Sequence, residues 1–159
     1  MKKILLFGAG KSATVLIDYL IQHAAVQQWF LTVVDANADQ AKSKIGDSKF
    51  AAAVSFDINN EAERNTYIAD ADIVISMLPP ALHISIAKNC IALNKNLLTA
   101  SYADDEIKKL QTEIASNQLL FLCEMGLDPG IDHMSAMKLI DQIHANGGRV
   151  TSFKSHCGG

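Results

Sequence analysis

The chain has 159 residues, which is one domain's worth and enough to bury a real core. Hydrophobic residues make up 49% and charged residues 19%, the balance of a folded globular chain and not of a disordered one. The formal net charge of −3 and the aromatic share of 6% exclude the basic face and stacking platforms that general nucleic-acid binding requires.

Lys2–Phe7 is a short continuous apolar run ended by Gly8, the pattern of a strand buried on both faces. From Lys11 to His23 the apolar residues Val15, Leu16, Tyr19 and Leu20 recur at helical spacing. Trp29–Val34 is predicted as the second strand and Ala36–Lys44 as a helix closed by Gly46. Phe50–Phe56 is an alanine-rich strand, followed by a polar helix over Asn60–Tyr67 and a buried strand over Ala71–Met77. Pro79-Pro80 stops that strand, and Ala81–Ala92 is helical. Asn96–Thr99 is a strand, Asp104–Ser116 a helix with acids in its first turn, and Gln118–Cys123 a strand. Ile131–Ala145 is a helix ended by Gly147-Gly148, and Arg149–His156 is predicted to begin a seventh strand. Strand–helix alternation of this kind implies an α/β fold of the Rossmann type: a doubly wound, mainly parallel sheet with helices on both faces.

In such folds ligands bind at the carboxyl ends of the strands. Gly8-Ala9-Gly10-Lys11-Ser12-Ala13 stands there and matches the G-x-G-x-x-G/A fingerprint. Gly8 makes the tight turn, Gly10 lets a pyrophosphate approach the backbone, and Ala13 allows close packing of helix on strand. Lys11 and Ser12 open the helix, whose free N–H groups and dipole favour phosphate. Asp35 ends the second strand, with Ala36 beside it, and its carboxylate suits ribose hydroxyls and repels a 2′-phosphate. The predicted cofactor is therefore NAD in preference to NADP. Asp57, with Ile58, follows the third strand, where an acid can reach an adenine amino group or cap a turn. Leu78 and Pro79 follow the fourth and face the ribose and phosphate region.

Cys90, Cys123 and Cys157 are odd in number and form no C-x-x-C pair, so neither a disulfide scaffold nor a metal site is expected. The apolar run Ile4–Phe7 is shorter than a signal-peptide core, and no stretch approaches 18 apolar residues. The expected setting is a reducing cytoplasm, without membrane or nucleic-acid partners.

Four motifs in the second half are more distinctive. They are Ser76-Met77-Leu78-Pro79-Pro80-Ala81-Leu82-His83, Thr99-Ala100-Ser101-Tyr102, Glu124–Met134 (EMGLDPGIDHM) and Ser155-His156-Cys157-Gly158-Gly159. In order and spacing they resemble motifs of the saccharopine dehydrogenases, most closely the glutamate-forming type. The resemblance spans essentially the whole chain. It implies a reaction of lysine metabolism, in which the secondary amine of saccharopine passes hydride to a nicotinamide. The resulting imine is then hydrolysed to glutamate and 2-aminoadipate 6-semialdehyde. It also implies that Ser101, Tyr102, Asp128, Cys157 and Gly158 lie near a small-molecule substrate. The general base is left open among Asp128, Tyr102 and Cys157. Asp128 is the first choice because a carboxylate suits a cationic amine at short range. His83, His133 and His156 read as structural.

The resemblance divides the chain into an NAD(P)-binding unit over residues 1–130 and a segment over 131–159 that leads into a substrate domain. The 159 residues are then expected to be the cofactor half of a larger enzyme, inactive alone, with a homodimer as its candidate assembly. The alternatives are a related amine dehydrogenase with another substrate, a stand-alone nucleotide sensor and a methyltransferase. A sensor has no use for polar Asp-Pro-Gly and Cys-Gly-Gly motifs at strand ends. A methyltransferase cofactor has no pyrophosphate for the glycine loop.

Overall fold

The structure is a computed structural model and describes residues 1–156. Cys157 and Gly158, both expected near substrate, lie outside the described residues. Six strands form one sheet: β1 (Lys2–Phe7), β2 (Trp29–Val34), β3 (Ala51–Val54), β4 (Ile73–Ser76), β5 (Asn96–Thr99) and β6 (Phe121–Leu122). All neighbours are parallel, in the order β3-β2-β1-β4-β5-β6. Between the strands run α1 (Thr14–Gln27), α2 (Ala38–Ile45), α3 (Glu61–Asp70), α4 (Pro80–Ala92), α5 (Asp105–Lys109) and α6 (Gln111–Ser116). A short 3-10 turn, Lys11–Ala13, leads into α1, and α7 (Ile131–Ala145) follows β6.

The central strand shows why the apolar runs are continuous. Successive side chains of a strand point to opposite faces. Ile4 and Leu6 pack with Ile17, Leu20, Leu31, Val33 and Ala41 beneath α1 and α2. Leu5 and Phe7 pack with Ile68, Val74, Ile86 and Leu97 beneath α3 and α4. With both faces covered, polar residues have no solvated side to occupy until the strand ends. Helix starts follow local chemistry: the side chains of Asn37, Asn60 and Asp104 accept from the backbone N–H groups of Gln40, Glu63 and Ile107.

Two expectations are corrected. The single helix over Asp104–Ser116 is two, because Ile107 and Leu110 both turn into the core and a tight turn at Leu110 redirects the chain. Residues 149–156 form no strand. A strand needs a neighbour to satisfy its backbone. The edge strand β6 has only two residues, and among the described residues no strand pairs with 149–156.

The winding reverses between β1 and β4, which are neighbours although far apart in sequence. The crevice above the carboxyl ends of these strands is where this architecture receives ligands.

Candidate functional site

The glycine loop leaves β1 at Gly8, whose N–H donates to the Val34 carbonyl at 2.8 Å. Gly8 has φ of +95°, and a Cβ there would stand 2.8 Å from the Met77 carbonyl oxygen. Only glycine turns here against the end of β4. Gly10 differs: its φ is −63° and a Cβ would meet nothing within 4 Å. The open space beside Gly10, next to the first N–H groups of the Lys11–Ala13 turn, fits the pyrophosphate of a dinucleotide. Lys11 and Ser12 are exposed at this mouth, and Ala13 is fully buried against the sheet.

Asp35 is tied to the loop. Its Oδ2 accepts from the Ala9 N–H at 2.7 Å and its Oδ1 from the Asn37 N–H at 2.9 Å. From α2, Gln40 Nε2 donates to the Ala9 carbonyl at 2.7 Å and Lys44 Nζ to the Gly10 carbonyl at 3.0 Å. Lys44 also donates to the Thr14 hydroxyl. Gln40 and Lys44 are one helical turn apart, so one face of α2 clamps the loop. Neither was singled out from the sequence. Ala36, beside Asp35, is exposed, and its carbonyl accepts from Ser55 Oγ at 3.0 Å. Asp57 Oδ1 accepts from the backbone N–H and the side-chain amide of Asn59, which makes it a turn cap in this structure. Ile58 packs against the core.

Beside the loop lies a cleft of about 460 Å³. Ser12, Leu78, Ser101, Tyr102 and Asp128 all line it, so five residues expected at the site share one cavity. Pro79 is exposed and caps α4, and its neighbour Pro80 lines the cleft in its place. At the mouth, the Tyr102 hydroxyl donates to Asp128 Oδ1 at 2.9 Å. That bond, with lesser contributions from burial and nearby carboxylates, raises the phenol above its ordinary value and keeps it a proton donor at neutral pH. The Asp128-Pro129-Gly130 turn closes only around glycine. A Cβ at Gly130 would stand 2.2 Å from the Gly126 carbonyl oxygen.

Asp132 Oδ1 accepts from the Gly130 N–H at 3.0 Å and pairs with His133 Nδ1 at 2.7 Å. Burial alone would raise Asp132, but these bonds and the His133 charge outweigh it and hold the carboxyl below its ordinary value. The same bond holds the His133 imidazole above its own. Asp128, Asp132 and His133 bring ligand atoms within 4.8 Å of one another, and of the three Asp128 lines the cleft.

The floor holds a network that sequence reading missed. His83, only 3% exposed, places Nδ1 2.8 Å from Ser76 Oγ and Nε2 2.8 Å from Ser101 Oγ and 3.2 Å from Thr99 Oγ1. Burial lowers the imidazole below its ordinary value, so the ring is neutral at neutral pH. Ser76 and Thr99 are the last residues of adjacent strands. Polar residues ending otherwise apolar strands were the available signal.

Fold and loop together define a dinucleotide-binding α/β domain of the Rossmann type. Residues 4–122 match the saccharopine dehydrogenase NADP binding domain, and residues 126–159 match the saccharopine dehydrogenase C-terminal domain. The chain belongs to the saccharopine dehydrogenase family, whose members include oxidoreductases. It is 37% identical, over 158 residues, to saccharopine dehydrogenase [NADP(+), L-glutamate-forming] of Saccharomyces cerevisiae, covering 99% of this chain and 34% of that protein. Over 173 residues it is 37% identical to alpha-aminoadipic semialdehyde synthase of Arabidopsis thaliana, covering 98% of this chain and 16% of that one. The solved structure of the apo yeast saccharopine dehydrogenase (L-Glu forming) superposes with a TM-score of 0.82 at 33% identity, over 92% of this chain and 32% of that chain.

The chain thus spans about a third of the length of the yeast relative. These likenesses support an NAD(P)-binding domain. They do not support the preference for NAD that Asp35 suggested, since the yeast relative is named for NADP(+). No helix among the described residues is long and apolar enough to cross a membrane.

Proposed function

We propose that the chain is the cofactor-binding part of an enzyme that oxidises the secondary amine of saccharopine, releasing glutamate and 2-aminoadipate 6-semialdehyde. One observation carries this reading: Ser12, two residues beyond the open position at Gly10, lines the same cleft as Tyr102 and Asp128. A dinucleotide lying on the loop is therefore led toward the carboxylate. Gly10, Lys11 and Ser12 hold the pyrophosphate, and Asp35 meets the adenosine ribose. Leu78 borders the nicotinamide half. When bound, the nicotinamide supplies the hydride acceptor, and the chain's own groups do the rest.

Asp128 attracts the cationic amine and takes its proton. Tyr102 donates to Asp128 and orients it, so of the pair the carboxylate is the base. Ser101 contacts the substrate from the floor. Cys157 and Gly158 belong to this reading only through the family motif. Residues 1–130 form the cofactor unit and 131–159 lead into the domain that completes the substrate site. For that reason the chain by itself binds but does not turn over. The assembly is cytoplasmic.

Asp35 sets the choice of dinucleotide. A carboxylate has lone pairs to spare after accepting two N–H groups, and its charge stays where a 2′-phosphate would come. Titration calorimetry with NADH and NADPH tests this. NADH is expected to bind in the micromolar to millimolar range and more tightly than NADPH, with no saccharopine-dependent NADH production. Tighter NADPH binding overturns the selectivity, and no saturable binding of either overturns the reading itself.

A further inference from the structure

We propose that His83 is a positioning residue that fixes the Ser101 hydroxyl as a hydrogen-bond donor to a carboxylate or carbonyl oxygen of the bound ligand. The inference rests on the amine-dehydrogenase reading for its ligand and on the network beneath the cleft for its geometry. The Ser101 N–H donates to Thr99 Oγ1 at 3.2 Å, and the Ser101 carbonyl accepts from the Glu124 N–H at 2.9 Å. The side-chain oxygen meets His83 Nε2 at 2.8 Å. What remains to be assigned is the direction of that last bond.

Hydroxyl accounting assigns it. A neutral imidazole has one donor and one acceptor nitrogen. If Nδ1 carries the proton, it donates to Ser76 Oγ, and the buried Ser76 hydroxyl hydrogen then has no acceptor among the described residues. Nε2 can then accept from Ser101 or from Thr99. Accepting from Ser101 strands the Thr99 hydrogen as well, and accepting from Thr99 gives up the shorter Ser101 bond. If Nε2 carries the proton, Ser76 donates to Nδ1 and Nε2 donates to Ser101 Oγ. Both 2.8 Å contacts are then made and only the Thr99 hydrogen is left over. Unpaired buried donors are costly, so the second arrangement prevails. It leaves Ser101 accepting from below with its own O–H free in the cleft.

The cleft floor therefore offers a hydroxyl hydrogen to an acceptor oxygen of the ligand. The cationic amine is left to Asp128 at the rim. Its separation from the floor gives the site a polarity, with the ligand's amine toward Asp128 and a carboxylate toward Ser101.

Long-range 1H–15N spectra of the ligand-free chain read the tautomer directly. The expected result is a neutral His83 with its proton on Nε2; a proton on Nδ1, or on both nitrogens at neutral pH, overturns the proposal. L-Glutamate, titrated by chemical shift with NADH present, reads the consequence. Ser101→Ala is expected to weaken glutamate about tenfold, as loss of one bond to a charged acceptor does. His83→Leu should weaken it equally but add nothing in the Ser101→Ala background, since His83 acts through that hydroxyl. His83→Gln, which keeps a donor near the Nε2 position, should restore most of the binding. Additive losses, or failure of wild-type chain to bind glutamate at all, overturn the proposal. NADH binding in the same sample leaves the dinucleotide reading standing.

Discussion

Gly8 and Gly10 are two residues apart and are replaceable on different terms. At Gly8 a side chain must adopt φ of +95° and stand 2.8 Å from a backbone oxygen. Gly8→Ala is therefore expected to cost about 1–3 kcal/mol of stability, and a thermal melt should fall by several degrees. At Gly10 a Cβ meets nothing within 4 Å and φ is negative, so the melting temperature of Gly10→Val should stay within about 2 °C of wild type. Its dinucleotide affinity should fall at least about tenfold, because the valine fills the space of the pyrophosphate. A Gly10→Val chain that binds NADH normally would show the loop to be only a turn. His83 and His133 separate in the same way by pH. Burial holds His83 below 6.5, so the unfolded chain takes up a proton that the folded chain does not, and stability rises with pH through that window. It is fully present above 6.5 and falls as the pH drops toward the lower folded value. His133, raised above 6.5 by Asp132, contributes with the opposite sign: stability present below 6.5 and lost as pH rises through its folded value. The His133 side chain is largely solvated, so that contribution is small. Urea unfolding at about pH 7 and pH 5 should show wild type weaker at the lower pH, His83→Gln with a flatter dependence and His133→Asn with a steeper one. An unchanged slope in His83→Gln would refute the assignment for His83.

Among the elements, β1, β2, β5 and α7 have the limits their sequences suggest, because punctuation and pattern agree there. Gly8 ends β1, and Gly130 and Gly147 bracket α7. The predicted strand over 149–156 fails for a nonlocal reason: its residues suit a strand, but among the described residues no neighbouring strand receives their backbone bonds. The site divides likewise. The glycine loop, Asp35, Tyr102 and Asp128 were legible because each belongs to a contiguous motif. The His83 network was not, because its members belong to two motifs, Ser76–His83 and Thr99–Tyr102, that are separate in sequence. Only the parallel register, which sets Ser76 opposite Thr99, brings them together. Helix α7 tests how far an apolar pattern implies burial. No residue of α7 is buried, and Ile131, Met134, Met137 and Leu139 are each more than half exposed. Leu139→Glu should therefore change the stability of this chain by no more than about 0.5 kcal/mol. Leu97→Ala, beneath α4, should cost about 2–5 kcal/mol in the same urea titration. A Leu139→Glu loss near the Leu97→Ala value would mean that the face is packed in solution.

At the scale of the molecule, the loop, the α2 clamp and the cleft converge on one crevice, so a ligand bound there should stabilise the whole sheet. The loop joins β1 to α1, Asp35 brings in β2, and the cleft takes residues from the ends of β4 and β5. A dinucleotide that contacts these segments binds the folded chain and finds no such arrangement in the unfolded one. At about 100 times its dissociation constant, such a ligand adds about 2.7 kcal/mol. For a chain of this size, each kcal/mol raises the midpoint by about 2–4 °C, so NADH near saturation should raise it by roughly 5–10 °C. Differential scanning calorimetry across a concentration series checks both the size and the logarithmic growth. Leu139→Glu should keep the full shift, since Leu139 is neither in the loop nor among the residues that line the cleft, and Gly10→Val should lose it while starting from the wild-type midpoint. A shift of equal size in wild type and Gly10→Val would place the ligand elsewhere than on the glycine loop.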